Sequence, residues 1–157
     1  MNSLRELRAD VIEKFINIEI FLTAILSQFY FGRVRKDFVF DFLYDEYCSF
    51  ALKRRVLFKV APELRSVPQF EQDLNRLNTI RNYFAHLRIW VSPPDADGPQ
   101  RIPDPRNFER SVDFQALYEE FCKKAPRVVD VLVEQFKKLG GEIEDVKKVP
   151  PTSSQNN

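Results

Sequence analysis

The sequence predicts an all-α fold, an up-and-down helical bundle of four to six helices with a proline-rich loop before the last helix. Three observations predict it. Apolar residues recur at three- and four-residue steps over several long segments, the spacing of a helix face. Only four glycines accompany ten prolines in 157 residues, and no valine–threonine alternation is sustained, which argues against a sandwich or barrel of short strands. Fifteen phenylalanines stand among the apolar positions, so the core is expected to be aromatic-rich.

The length suits one domain, placed at residues 1–140, followed by a disordered tail at 141–157 in which charged and then polar residues replace the apolar pattern. A formal charge of +1 excludes a globally basic or acidic binder, so any nucleic-acid footprint must be a local patch. The apolar run Phe15 to Phe31 is interrupted by Asn17, Glu19 and Gln28, and a membrane span is not expected. Two distant cysteines within apolar patterns, Cys48 and Cys122, read as buried thiols of a reducing cytoplasm.

Ser3-x-x-Glu6 forms a capping box that starts the first helix. Leu4, Leu7, Val11, Phe15, Ile18, Leu22, Ile25 and Phe29 make its stripe, a row of Ile12, Ile16 and Ile20 widens it, and Gly32 ends it. Asp37 is expected to cap a brief aromatic helix through Phe38, Phe40, Phe42, Leu43 and Tyr47. From Ser49 a further helix points Phe50, Val56, Leu57 and Val60 inward and Lys53, Arg54 and Arg55 outward, ending at Pro62.

Ser66-Val67-Pro68 signals the next helix, with Phe70, Leu74, Leu77, Ile80 and Phe84 inward as far as about Leu87. The proline-rich stretch from Ser92 to Asn107 reads as a surface excursion, with Leu87–Val91 and Arg101–Ile102 either a small hairpin or part of a mobile loop flanking the active face. Asp113 caps the last helix, whose stripe runs from Phe114 to Leu139 before Gly140-Gly141. Pro126 is expected either to kink it or to break it near Ala125.

The polar residues that stand out lie on the Asp73–His86 stretch, which carries the chain's single histidine in the spacing Arg81-Asn82-x-x-x-His86. Charge on a core helix costs free energy unless it is paired or employed. Asn82 and His86, four apart, share a face, and Arg81 is turned roughly 100° from Asn82. Such a set supplies a bidentate cation for phosphate, an orienting amide, and an imidazole able to move a proton near neutral pH. Those are the parts for metal-free cleavage of RNA. A base and an acid are both needed, and a homodimer whose motif helices meet across a two-fold axis supplies two histidines to one composite cleft. No second ligand stands at a coordinating interval from His86 and no glycine-rich phosphate loop occurs, so no metal or cofactor is expected.

The run Leu77-x-x-Ile80-Arg81-Asn82-x-x-Ala85-His86, on a late helix of an all-helical chain, resembles the Arg-x(4–6)-His motif of the HEPN superfamily. The helix pattern covers about residues 1–140 and the motif about ten residues. The resemblance implies a dimerising helical bundle with the motif at the subunit interface. It implies a metal-independent endoribonuclease of a toxin–antitoxin, phage-defence or RNA-processing system, with RNA as substrate and an antitoxin or regulatory protein as a further partner. Carried over by position, Arg81 and His86 are catalytic, and Asn82 orients the histidine or contacts phosphate. A branch of the family controlled by modification has tyrosine two residues after the histidine, where this chain has Arg88.

Arg76, Arg88 and the Lys53-Arg54-Arg55 cluster are the candidate substrate contacts, with Arg33, Arg35 and Lys36 as a second basic group, since backbone phosphates supply most of the affinity for RNA. The alternative is a non-catalytic dimerisation or RNA- or protein-binding module, in which Arg81, Asn82 and His86 form a satisfied structural cluster.

Overall fold

The computed structural model describes residues 3–45, 47–86, 101–104 and 107–147. In chain order these form α1 (Leu4–Phe31), a π-helical turn (Phe38–Leu43), α2 (Phe50–Val60), a 3-10 turn (Pro62–Ser66), α3 (Phe70–Ala85), a hairpin of β1 (Arg101–Asp104) and β2 (Asn107–Asp113), α4 (Phe114–Lys138) and α5 (Ile143–Lys147). The fold is all-α, with one two-stranded sheet among the described residues. No helix among them is long and apolar enough to cross a membrane. The chain divides into two compact units, residues 1–15 with 72–127, and residues 16–71 with 128–157, so that α1, α3 and α4 each contribute to both.

The first unit packs the start of α1, most of α3 and the first half of α4. Ser3 and Glu6 close the capping box reciprocally, the Ser3 amide donating to the Glu6 carboxylate at 2.7 Å and the Glu6 amide to the Ser3 hydroxyl at 3.3 Å. The i, i+3, i+4 spacing then turns Leu7, Val11 and Phe15 toward Leu74, Leu77, Ile80 and Phe84 of α3 and Phe114, Leu117 and Phe121 of α4, all buried. Phe84 meets Phe114 edge to face at 5.1 Å.

Polar pairs fix the helix directions. Asp73 and Arg76 pair with Lys124 and Glu120, so α3 and α4 run antiparallel, whereas Asp10 and Lys14 meet Tyr118 and Cys122, so α1 and α4 run parallel. Arg101 and Ile102 lie in a hairpin, but not in the expected pairing with Leu87–Val91. They pair with Asp113 and Val112, and residues 87–91 lie outside the described residues. Part of the expected loop is therefore β-structure. Asp113 caps α4 as expected, its carboxylate accepting from the Ala116 amide at 3.1 Å. Pro126 leaves α4 continuous rather than split in two.

The second unit packs the end of α1 with α2, the 3-10 turn, the end of α4 and α5. Ile18, Leu22, Ile25, Leu57, Phe58, Phe70, Leu132 and Phe136 form its core. Gly32 ends α1 with φ 66°, the left-handed conformation a C-cap residue needs. The buried Gln28 amide then donates to the Gly32 and Leu139 carbonyls, both at 3.1 Å, satisfying acceptors beyond two helix ends.

Several expectations are corrected here. Phe29 leaves the α1 stripe and is exposed, because α1 ends two residues later. The aromatic segment is a π-helical turn that buries Val39 and Leu43 and exposes Phe42, and Asp37 pairs with Arg35 instead of capping it. α3 starts at Phe70, after Gln69 with φ 60°, rather than at Pro68. Within the expected tail, residues 143–147 form α5, which buries Val146, and residues 148–157 lie outside the described residues.

The largest correction is Lys53, expected outward and found 3% exposed. Its ammonium donates to Glu19 at 2.5 Å and lies 4.9 Å from the Tyr44 ring. Burial of a lysine is tolerated where a carboxylate answers it, and Glu19, which interrupts the α1 stripe, supplies that partner.

Candidate functional site

Leu74, Leu77, Ile80 and Phe84 hold α3 in the core of the first unit and fix the angular position of the polar residues between them. Arg81 is half-buried, its guanidinium 4.8 Å from the centre of the Phe15 ring on α1. That contact orients the cation without neutralising it, because a ring face attracts charge but carries none. Asn82 is half-buried one position on. The final turn closes through the His86 amide, which donates to the Asn82 carbonyl at 3.0 Å and leaves the His86 side chain exposed just beyond α3. The polar set therefore stands at the accessible end of a core helix.

A second guanidinium reaches the same turn. Arg8 of α1, half-buried, donates through Nη2 to the Ala85 carbonyl at 3.1 Å. Arg8 and Phe15 are seven residues apart and share a face of α1, so Arg8 at Ala85 and Phe15 at Arg81 make α1 and α3 antiparallel neighbours. Sequence spacing misses Arg8, since its position in α1 carries no sign of the helix it meets.

The candidate phosphate contacts separate. Arg76 is committed to Glu120 by a bidentate pair at 2.9 and 2.7 Å, which raises the guanidinium above its usual value and holds the Glu120 carboxyl below its own. In the second unit, Lys53 is withdrawn by Glu19, Arg54 is half-buried and Arg55 exposed. Arg88 lies outside the described residues. Arg35 is shared between Asp37 and the Phe31 ring, while Arg33 and Lys36 are exposed.

One further polar cluster belongs to the first unit. The Asp10 carboxylate accepts from Lys14 at 2.6 Å and from Tyr118 at 2.8 Å, and the Lys14 ammonium also lies 3.7 Å from the Cys122 sulfur. Partial burial raises the Asp10 carboxyl, but its two donors outweigh burial and hold it below the usual range. The Tyr118 hydroxyl, bonded to Cys122 and Asp10, is pushed well above its ordinary value. These residues are mutually satisfied and tie α1 to α4.

No group of histidine, cysteine or carboxylate side chains among the described residues is arranged to hold a metal ion. Both cysteines are free, Cys48 buried and Cys122 half-buried. No family model, no curated protein and no solved structure matches the chain.

Proposed function

We propose that the chain is a HEPN-like, metal-independent endoribonuclease that works as a homodimer, with Arg81, Asn82 and His86 of two copies lining one composite cleft. The observation that carries this reading is the exposed imidazole one turn beyond a half-buried guanidinium that rests on an aromatic face. A purely structural Arg–His cluster gains nothing from an exposed imidazole. A general acid or base must be within reach of the proton it moves, and an exposed imidazole is open to a substrate.

In the proposed reaction one His86 removes the proton of a ribose 2′-hydroxyl, whose oxygen attacks the adjacent phosphorus. The bond to the 5′-oxygen breaks, and the second His86 donates a proton to that leaving group. The products are a 2′,3′-cyclic phosphate and a 5′-hydroxyl. Arg81 stabilises the charge that builds on the phosphorane, and Asn82 orients the imidazole or a phosphate oxygen. An antitoxin or other regulatory protein is the proposed additional partner.

The purified protein incubated with single-stranded RNA in EDTA tests this. Cleavage abolished by Arg81→Ala and by His86→Ala, with dimer mass and helicity unchanged, is the expected result. No cleavage by the wild type, or loss of stability in both variants, favours the structural cluster.

A further inference from the structure

The last turn of α3 contains no basic residue of its own. Its final carbonyls present the negative end of the helix dipole, which repels an anion and opposes phosphate binding beside His86. Arg8 answers that obstacle from another helix, with its guanidinium on the Ala85 carbonyl, the residue immediately before His86. One of its five N–H donors is engaged there, and a guanidinium carries several more in a planar fork.

We propose that Arg8 is a positioning and charge-compensating residue of the phosphodiester site, pinning the turn that carries His86 and cancelling the carbonyl charge that would otherwise exclude an anion. The proposal rests on the reading of Arg81 and His86 as a phosphate site. It adds a residue on α1 that the Arg-x4-His spacing does not contain. On this account two guanidinium groups serve the same helix end, Arg81 for the reacting phosphate and Arg8 for the backbone beneath it.

Because the chain has a single histidine, its imidazole proton signals are unique in an NMR spectrum, and they can be followed while inorganic phosphate is added to the 157-residue chain. Wild-type signals are expected to shift saturably. Arg8→Ala is expected to weaken phosphate at least 5-fold, and Arg8→Lys to recover most of that loss. Arg8→Gln keeps a donor for the Ala85 carbonyl without the charge, and is expected to bind phosphate as poorly as Arg8→Ala with its melting temperature near that of the wild type.

Phosphate affinity unchanged in Arg8→Gln would reduce Arg8 to a helix cap and overturn the electrostatic role. Wild-type signals indifferent to phosphate would overturn the site itself. A wild type that binds phosphate in this Arg8-dependent way but does not cut RNA leaves the Arg8 inference standing and removes the nuclease reading, so the two failures are distinguishable.

Discussion

The Arg81 guanidinium stands 4.8 Å from the centre of the Phe15 ring, a contact between α3 and α1 that joins the motif to the core of its unit. Phe15 is 2% exposed, so it is both a packing residue and the platform on which the cation lies. A cation over a partly desolvated ring face gains about 1–2 kcal/mol and loses orientational freedom.

Phe15→Leu separates those two roles. The substitution is expected to cost about 1–2 kcal/mol of stability by lost volume, and to lower RNA cleavage further than that loss explains because Arg81 loses its platform. Val11→Ala, which also trims the buried face of α1, is the control for stability alone. Urea unfolding and initial cleavage rates for both variants make the comparison. Equal rates in the two variants at equal stability would leave the ring contact without a functional part.

The Lys53–Glu19 pair makes an asymmetric prediction. Glu19→Gln leaves a lysine 3% exposed without its counter-charge and is expected to destabilise the protein by about 3–5 kcal/mol. Lys53→Met, similar in length and apolar, is expected to change stability by no more than about 1 kcal/mol, and Arg55→Ala by about 0.5 kcal/mol or less. Chemical denaturation of the three variants checks the order, and a large loss for Arg55→Ala would contradict the exposure of that residue.

Acid stability should depend on Glu120. Its hydrogen bond to Arg76 holds the folded carboxyl below the 4.5 of the free group, so its stabilising contribution is present above that value and is lost as pH falls through the lower folded one. The Arg76 and Glu120 side chains are 40% and 31% exposed, so solvent screens the pair and the expected contribution is only about 0.5–1 kcal/mol. Glu120→Gln is therefore expected to melt lower than the wild type at pH 7, with the gap narrowing as the pH falls below 4.5. A gap that does not narrow with falling pH would place the effect in packing rather than in the ion pair.

Gly141 provides a steric test of the second unit. A Cβ built there would lie 2.3 Å from the ring of Phe136, which is fully buried and has no room to retreat. Gly141→Ala is expected to cost about 1–3 kcal/mol by overpacking. Thermal melting of Gly141→Ala and of Gly32→Ala compares a clash with backbone strain, since nothing lies within 4 Å of the Cβ position at Gly32, whose φ is 66°.

The amino-acid order by itself determined the helical class, the Ser3–Glu6 box, the Gly32 stop, the Asp113 cap, and the buried faces of α1, α3 and α4, because each follows from local geometry and the 3.6-residue period. It also singled out Arg81, Asn82 and His86 by their spacing. Tertiary structure alone decided which cations are spent and which remain, because pairing across helices depends on packing that no local pattern encodes. Glu19 claims Lys53 from 34 residues away, Glu120 claims Arg76 across 44, and Arg8 reaches Ala85 across 77. The same packing exposes Phe42 and buries Val39, since a π-helical turn shifts the face that an α-helical period would assign. A helix carries its own apolar period, but the partner of a long charged side chain is chosen only when a second helix arrives beside it.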